Sequence, residues 1–445
     1  MKGKVRLAVS VGLFVVSIGQ VQGRVVSALI PVADTVVHEF SESTATDGSN
    51  WLVAVRGSSG NADEACAQLM SSDGLIIGSL IQTGRLIHTP TDGDLPPFRA
   101  PFVAFGGGKY LMVWVDHASG GKVYGQFIST VGTLVGSAFA ISFDGDKYLP
   151  DVASDGTNFF VIWTDWGGTE GRFVSSSGAL GSQVEISFAN DIASVAYGGG
   201  QYLVGWMTSS DGNSLPQCRL VSSDGTMGST LTLGSSSLYY ESLNVAYGDG
   251  RFMTAWSHTG GNIDLKGRMV LPNGTLVGPE LDLVSDALNE MSVGHCLAHD
   301  GDYFLLAWVA SDFGVGVDDI SYGQYVDSDG NMLGSPFVID SSPDVAGAMD
   351  FITGLSASQG KAMALITTDA FGSGGNVYAV MIDSSAHVQL ESIGTGQLQL
   401  EYSGILESTT NLTSETWLDV SPQPASPWVI SPADIPMFYR TRRIE

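Results

Sequence analysis

The chain has 445 residues, of which 46 are acidic and 19 basic, for a formal charge of −27, and 44% are hydrophobic. So acidic a balance excludes nucleic acid and anionic membrane surfaces as partners, and the apolar fraction excludes a disordered chain. Abundant glycine, 57 residues, and no long apolar pattern at helical spacing predict an all-β fold rich in tight turns.

At the amino terminus Lys2, Lys4 and Arg6 precede an apolar run over residues 7–18, followed by Val21-Gln22-Gly23. This is the layout of a secretory signal peptide over residues 1–23, cut after Gly23. The run is short for a membrane span. The expectation is a secreted chain with no transmembrane anchor in its mature part. Excess acid is explained most simply by a solvated surface, and more sharply by calcium or a cationic partner. Cys66, Cys218 and Cys296 are odd in number and scattered, so they do not form a disulfide framework.

A unit then recurs about seven times, most clearly over residues 194–234. Its second apolar run ends at Val55, Trp114, Trp163, Trp206, Trp256, Trp308 and Ile366, at intervals of about 40 to 60 residues, as a four-stranded blade with its turns requires. Four residues before these anchors stand Trp51, Tyr110, Phe159, Tyr202, Phe252 and Phe304, with Ala362 breaking the rule in the last copy. A glycine precedes each aromatic by two or three residues, as in Gly108 and Gly200, and supplies the positive φ of a hairpin. The second strand is apolar on both faces. In residues 109–114, Tyr110, Met112 and Trp114 point one way and Leu111 and Val113 the other. Such a strand is dry on both sides, as in a blade held between two neighbours. A second glycine turn, as at Gly132 and Gly225, closes six copies, whereas the seventh has His387 there. The predicted fold is a seven-bladed β-propeller over residues 24–391, although six or eight blades also fit the degenerate end copies. The segment from Val32 to Phe40 is expected to pair with the last blade and close the circle.

These Trp-ending repeats resemble the propeller repeats of large secreted bacterial proteins. The resemblance covers about 45–391 and implies the fold and no particular activity. Beyond residue 391 the pattern changes. Tyr402-Ser403-Gly404, Leu406-Glu407-Ser408, Asn411-Leu412, Trp417 with Val420, and Phe438-Tyr439-Arg440 resemble the tail of secreted verrucomicrobial and planctomycetal proteins. That resemblance implies a small β-sandwich-like module over residues 392–445, used for surface attachment or sorting.

In a meander, the turn after each anchor and the link between repeats emerge on one face, and the glycine hairpins on the other. The first set is long and irregular, which makes it the candidate binding face. It carries Asp116, His117, Asp165, Trp166 and Glu170, with Tyr148 near Asp144 and Asp146 in the adjoining link. An exposed Trp beside carboxylates suits a sugar, by ring stacking and hydrogen bonds to hydroxyls. Asp318 and Asp319 are the calcium candidates. Asp327-Ser328-Asp329-Gly330-Asn331 looks like a calcium loop but sits at a repeat turn, with no glutamate at the required distance. His295 and His299 share a strand face that would line the central channel if their strand is innermost. No G-x-S-x-G, H-E-x-x-H, P-loop or dinucleotide fingerprint occurs, and the Asp-box of sialidases is missing from the repeat turns. The expected function is non-catalytic binding of a glycan or of an extracellular or cell-surface protein through the acidic loop face. The alternative is an extracellular carbohydrate-active hydrolase or lyase using loop carboxylates.

Overall fold

The structure is a computed structural model, and it describes residues 25–32, 39–58, 63–88, 101–116, 119–143, 145, 147–188, 193–210, 213–236, 242–259, 263–284, 290–310, 319–341, 348–370, 376–383, 388–394, 397–402, 405–409, 418–419, 428–430 and 438–442. Among these residues there is no α-helix and no helix long and apolar enough to cross a membrane. The chain divides into two compact units. The first, residues 27–381, is a seven-bladed β-propeller. Six blades are antiparallel meanders in chain order: 39–88, 102–140, 148–187, 193–232, 243–284 and 290–340. The seventh takes three strands from 348–383 and its fourth from the amino terminus.

The first strand of each blade lies next to the first strands of its neighbours, so it is innermost, and the fourth is outermost. Second strands are the dry core that their sequence predicts. Tyr110, Met112 and Trp114 pack with blade 1, whereas Leu111, Val113 and Val115 pack with blade 3. Trp114, Trp163, Trp206 and Trp256 are fully buried. At about 200 Å² of ring surface apiece, each contributes about 5 kcal/mol of transfer free energy at most.

Closure differs in one respect from the expectation. The strand that completes blade 7 is Ile30–Pro31, paired Ile30↔Ala379 and Pro31↔Tyr378, with Val32 N donating to Val377 O at 2.9 Å. Phe40 instead belongs to Glu39–Thr46, the first strand of blade 1, and opposes Arg56. The closing segment thus lies upstream of the one predicted, because residues from Glu39 onward are already committed to the first hairpin. It also explains the missing glycine turn of the seventh copy: that blade needs no fourth strand from its own repeat. Residues 33–38 and His387 lie outside the described residues.

Two further periodic positions hold the ring. Ser43, Asp151, Asn244 and Cys296 each oppose the residue just before the blade's anchor. Each reaches the first strand of the next blade: Val103 N donates to Ser43 Oγ at 3.0 Å, Val195 N to Asp151 Oδ2 at 2.9 Å, Asn244 Nδ2 to His295 O at 2.8 Å and Cys296 Sγ to Ile352 O at 3.8 Å. On the third strand, Gln68, Gln126, Arg172, Arg219, Arg268 and Gln324 share one register position. Gln126 Nε2 donates to Val135 O at 3.2 Å, and Gln324 Nε2 to Leu333 O at 3.0 Å, where the ladder to the fourth strand slips. A bulge leaves main-chain carbonyls without ladder partners, and the glutamine amide supplies the donor. The arginines reach further, to the preceding blade: Arg172 Nη1 donates to Ile141 O at 2.8 Å and Arg219 Nη1 to Ile186 O at 2.6 Å.

In the second unit, Val25–Val26 pairs with Asp383 and Ile382. Residues beyond 387 form two three-stranded sheets: Val388–Gly394, Gln397–Tyr402 and Trp428–Ile430 in one, and Leu418–Asp419, Ile405–Thr409 and Phe438–Arg442 in the other. Tyr402, Leu406 to Ser408 and Phe438 to Arg440 stand on these strands. Ser403, Gly404, Asn411, Leu412, Trp417 and Val420 lie outside the described residues.

Candidate functional site

The second and third strands of blade 3, Phe159–Asp165 and Gly168–Val174, are joined by a two-residue turn, Trp166-Gly167. Asp165 pairs with Gly168 across it, and Gly167 N donates to Asp165 Oδ1 at 2.7 Å. So short a turn has no interior in which to hide a side chain. Trp166 stands at its tip, 77% exposed, and meets the Tyr148 ring edge to face at 5.9 Å between centroids.

Below the tip lies a cluster built on Lys147, which is buried. Its Nζ donates to Asp165 Oδ2 at 2.6 Å and to Glu170 Oε2 at 3.2 Å. Glu170 opposes the anchor Trp163 in register and accepts its indole Nε1–H at 2.9 Å. The indole nitrogens of Trp114, Trp206 and Trp256 are buried without a hydrogen-bond partner, so blade 3 gives its anchor a carboxylate that those three blades lack. Burial opposes the charge of Lys147, but hydrogen bonds to Asp165 and Glu170 outweigh it and raise the ammonium's pKa. For Asp165, desolvation pushes upward, yet hydrogen bonds from Lys147 and the main chain of Gly167 hold the carboxyl below its usual range. Both carboxylates keep free lone pairs for hydroxyl donors.

The link that delivers Lys147 is itself fastened to blade 2. Ile141 N donates to Val123 O at 2.7 Å, Ser142 Oγ accepts Val123 N at 2.9 Å, and Lys147 N donates to Gly121 O at 2.9 Å. Phe143 in this link is 60% exposed, with the Arg172 guanidinium over its ring at 4.9 Å.

No protein-family model and no curated protein matches the chain. Its structural likenesses lie among solved structures. A protein of unknown function from Dyadobacter fermentans DSM 18053 superposes with a TM-score of 0.51 at 8% identity, over 81% of this chain and 99% of that one. A polysaccharide lyase, an ulvan lyase solved with a bound saccharide, superposes with a TM-score of 0.50 at 10% identity, over 83% of this chain and 95% of that one. These likenesses show the fold alone.

Of the residues singled out in the sequence, Asp165, Trp166, Glu170 and Tyr148 come together around Lys147. Asp116, the counterpart of Asp165 in blade 2, turns inward instead. It is buried, accepts Ser119 N at 2.9 Å and Ser119 Oγ at 3.0 Å, and lies 3.7 Å from Arg85 Nη1 of blade 1. His117, Asp144, Asp146 and Asp318 lie outside the described residues. Asp319 is buried just ahead of the third strand of blade 6, Ile320–Val326. Among the described residues, no group of three or more His, Cys, Asp or Glu side chains converges. Asp327 Oδ1 accepts Asp329 N and Asn331 N at 2.9 and 2.8 Å, which is turn chemistry.

The strand of His295 and His299 is innermost, but the shared face turns to blade 5 rather than to the channel. Leu297 joins the blade 5 core, and His295 Nε2 lies 3.1 Å from Ala255 O. Side chains in a radial blade point at the neighbouring blades, and the ring axis sees strand edges, so the channel reading fails. Cys66, Cys218 and Cys296 are buried thiols in no disulfide, and burial pushes the Cys218 thiol up to about 12.

Sequence reasoning missed Lys147, Phe143 and Phe188. Lys147 carries a signal, as the single base of the acidic link 143–150. Phe188 carries none, because an isolated Phe after a strand reads as core.

Proposed function

We propose that the protein is a secreted, non-catalytic β-propeller that binds a glycan through the blade 3 loops. The observation that carries this reading is Trp166, held out at the tip of a two-residue turn, braced by Tyr148 and standing above the carboxyl groups of Asp165 and Glu170. An indole face stacks on the apolar face of a sugar ring, and the carboxylates accept its hydroxyls. The hydrolase or lyase alternative is less well supported. A general acid must hold its proton near neutral pH, whereas Asp165 is held ionised and both carboxylates are bound to one ammonium.

A glycan array and titration calorimetry on the chain without residues 1–23 test the proposal. Trp166→Ala and Asp165→Ala are each expected to lower affinity for the bound glycan at least tenfold, about 1.4 kcal/mol, with the melting temperature held within about 2 °C for Trp166→Ala. Unchanged binding in both variants would overturn the placement. Export is tested separately: amino-terminal sequencing of the protein recovered outside the producing cell is expected to begin at Arg24.

A further inference from the structure

Among the described residues, the large aromatic rings that stand exposed are three, and all belong to one blade's loops: Phe143 at 60%, Trp166 at 77% and Phe188 at 83%. They stand in the link before blade 3, in the turn between its second and third strands, and after its fourth strand. Phe188 directly follows its fourth strand, Leu180–Ser187, and abuts the Trp166 turn: a Cβ on Gly168 would stand 2.8 Å from Phe188 Cα. Phe143 lies in the link whose Lys147 binds Asp165, and its ring is covered by the Arg172 guanidinium. Exposed aromatics cost solubility and are not needed for core packing. Three exposed rings offer more stacking surface than one sugar unit covers.

The charges around the track decide what it accepts. Among the described residues, three bases of blades 1 to 3 and their links are already engaged. Lys147 holds Asp165 and Glu170, Arg85 lies against Asp116 and the Tyr124 ring, and Arg172 donates to Gly181 O and Ile141 O. A carboxylate or sulfate on a ligand would meet the acidic side chains of Asp165 and Glu170, no disengaged cation among these three bases, and a chain of net charge −27. Like charges brought together cost affinity and slow encounter.

We infer that the ligand is an uncharged polysaccharide, taken as a chain of several sugar units along Phe143, Trp166 and Phe188, and that uronate or sulfated polysaccharides are rejected. This rests on the glycan reading above.

Native affinity electrophoresis at low salt tests it, with hydroxyethylcellulose, galactomannan and soluble starch as neutral probes and polygalacturonate and dextran sulfate as anionic ones. Retardation by at least one neutral probe and by neither anionic probe is the expected result. In the responding gel, Phe188→Ala and Phe143→Ala should each weaken retardation about five- to twentyfold. Both side chains are exposed, so the variants should keep the wild-type melting temperature. Retardation by an anionic probe would overturn the inference and leave glycan binding standing. Retardation by a neutral probe that neither variant alters would overturn the track. Retardation by none of the five would overturn the inference, and an empty glycan array would overturn the glycan reading with it.

Discussion

Lys147 is the side chain on which the blade 3 loops depend. It neutralises two carboxylates, one of which also satisfies the indole of Trp163. Lys147→Met removes the cation and leaves both acids facing each other, partly exposed, at an expected cost of about 2–4 kcal/mol, read as a lower denaturation midpoint. The pH dependence follows from the sign of the Asp165 shift. Its carboxyl is held below its ordinary value of 3.8, so its contribution to stability is present above that value and lost as pH falls through the lower, folded one. The wild type should therefore lose stability between about pH 5 and pH 2 more steeply than Lys147→Met. Asp151 behaves in the opposite sense. Desolvation between two inner strands pushes its carboxyl up from 3.8 to about 6, against hydrogen bonds from Val195 and Val152. The fold favours the protonated form, so stability is full below the unfolded value and declines as pH rises through about 6. Asp151→Asn, which removes the titrating group, should show a flatter profile from pH 4 to 7 in chemical denaturation.

At the scale of the strand, the repeat was readable where its residues obey a local rule. Tyr110 to Trp114 announce a strand dry on both faces because a blade has neighbours on both sides. Gly132 and Gly225 announce turns because each takes a positive φ, +78° and +85°. The third-strand position of Gln126 and Arg172 is equally periodic, yet no local rule reads it. Its meaning lies in a bulge of the adjacent strand and in the preceding blade, neither of which is local. The glycine before it has the same hidden cause. A Cβ on Gly171 would stand 2.6 Å from Phe160 Cζ, and one on Gly125 would stand 2.7 Å from Ile141 Cδ1. Gly171→Ala should therefore cost about 1–3 kcal/mol by overpacking although φ is unstrained there. Gln126→Leu, which strands the carbonyls of the bulge, should cost about 1–2 kcal/mol. Thermal denaturation checks both. For the site, the sequence placed Asp165, Trp166, Glu170 and Tyr148 on neighbouring loops. It could not separate Asp165 from Asp116, since both end a second strand and differ in what the turn after them allows.

For the molecule as a whole, the ring is closed by hydrogen bonds between residues at opposite ends of the propeller sequence. Without Ile30–Pro31 the seventh blade would end in an open strand, Asn376–Asp383, and open edges recruit further strands. Deletion through Val32 should lower the melting temperature and yield dimers or larger species by light scattering, while the intact chain stays monodisperse.

The partnership of Ile30 with Ala379 also fixes an order of events. The earliest strand of the propeller to leave the ribosome has no mate until nearly the last is made, and joining ends so far apart costs about 5 kcal/mol of chain entropy. Blades can form one by one during synthesis, but the latch cannot. Until the final blade is made the propeller is an open arc, and only its arrival turns the arc into a wheel.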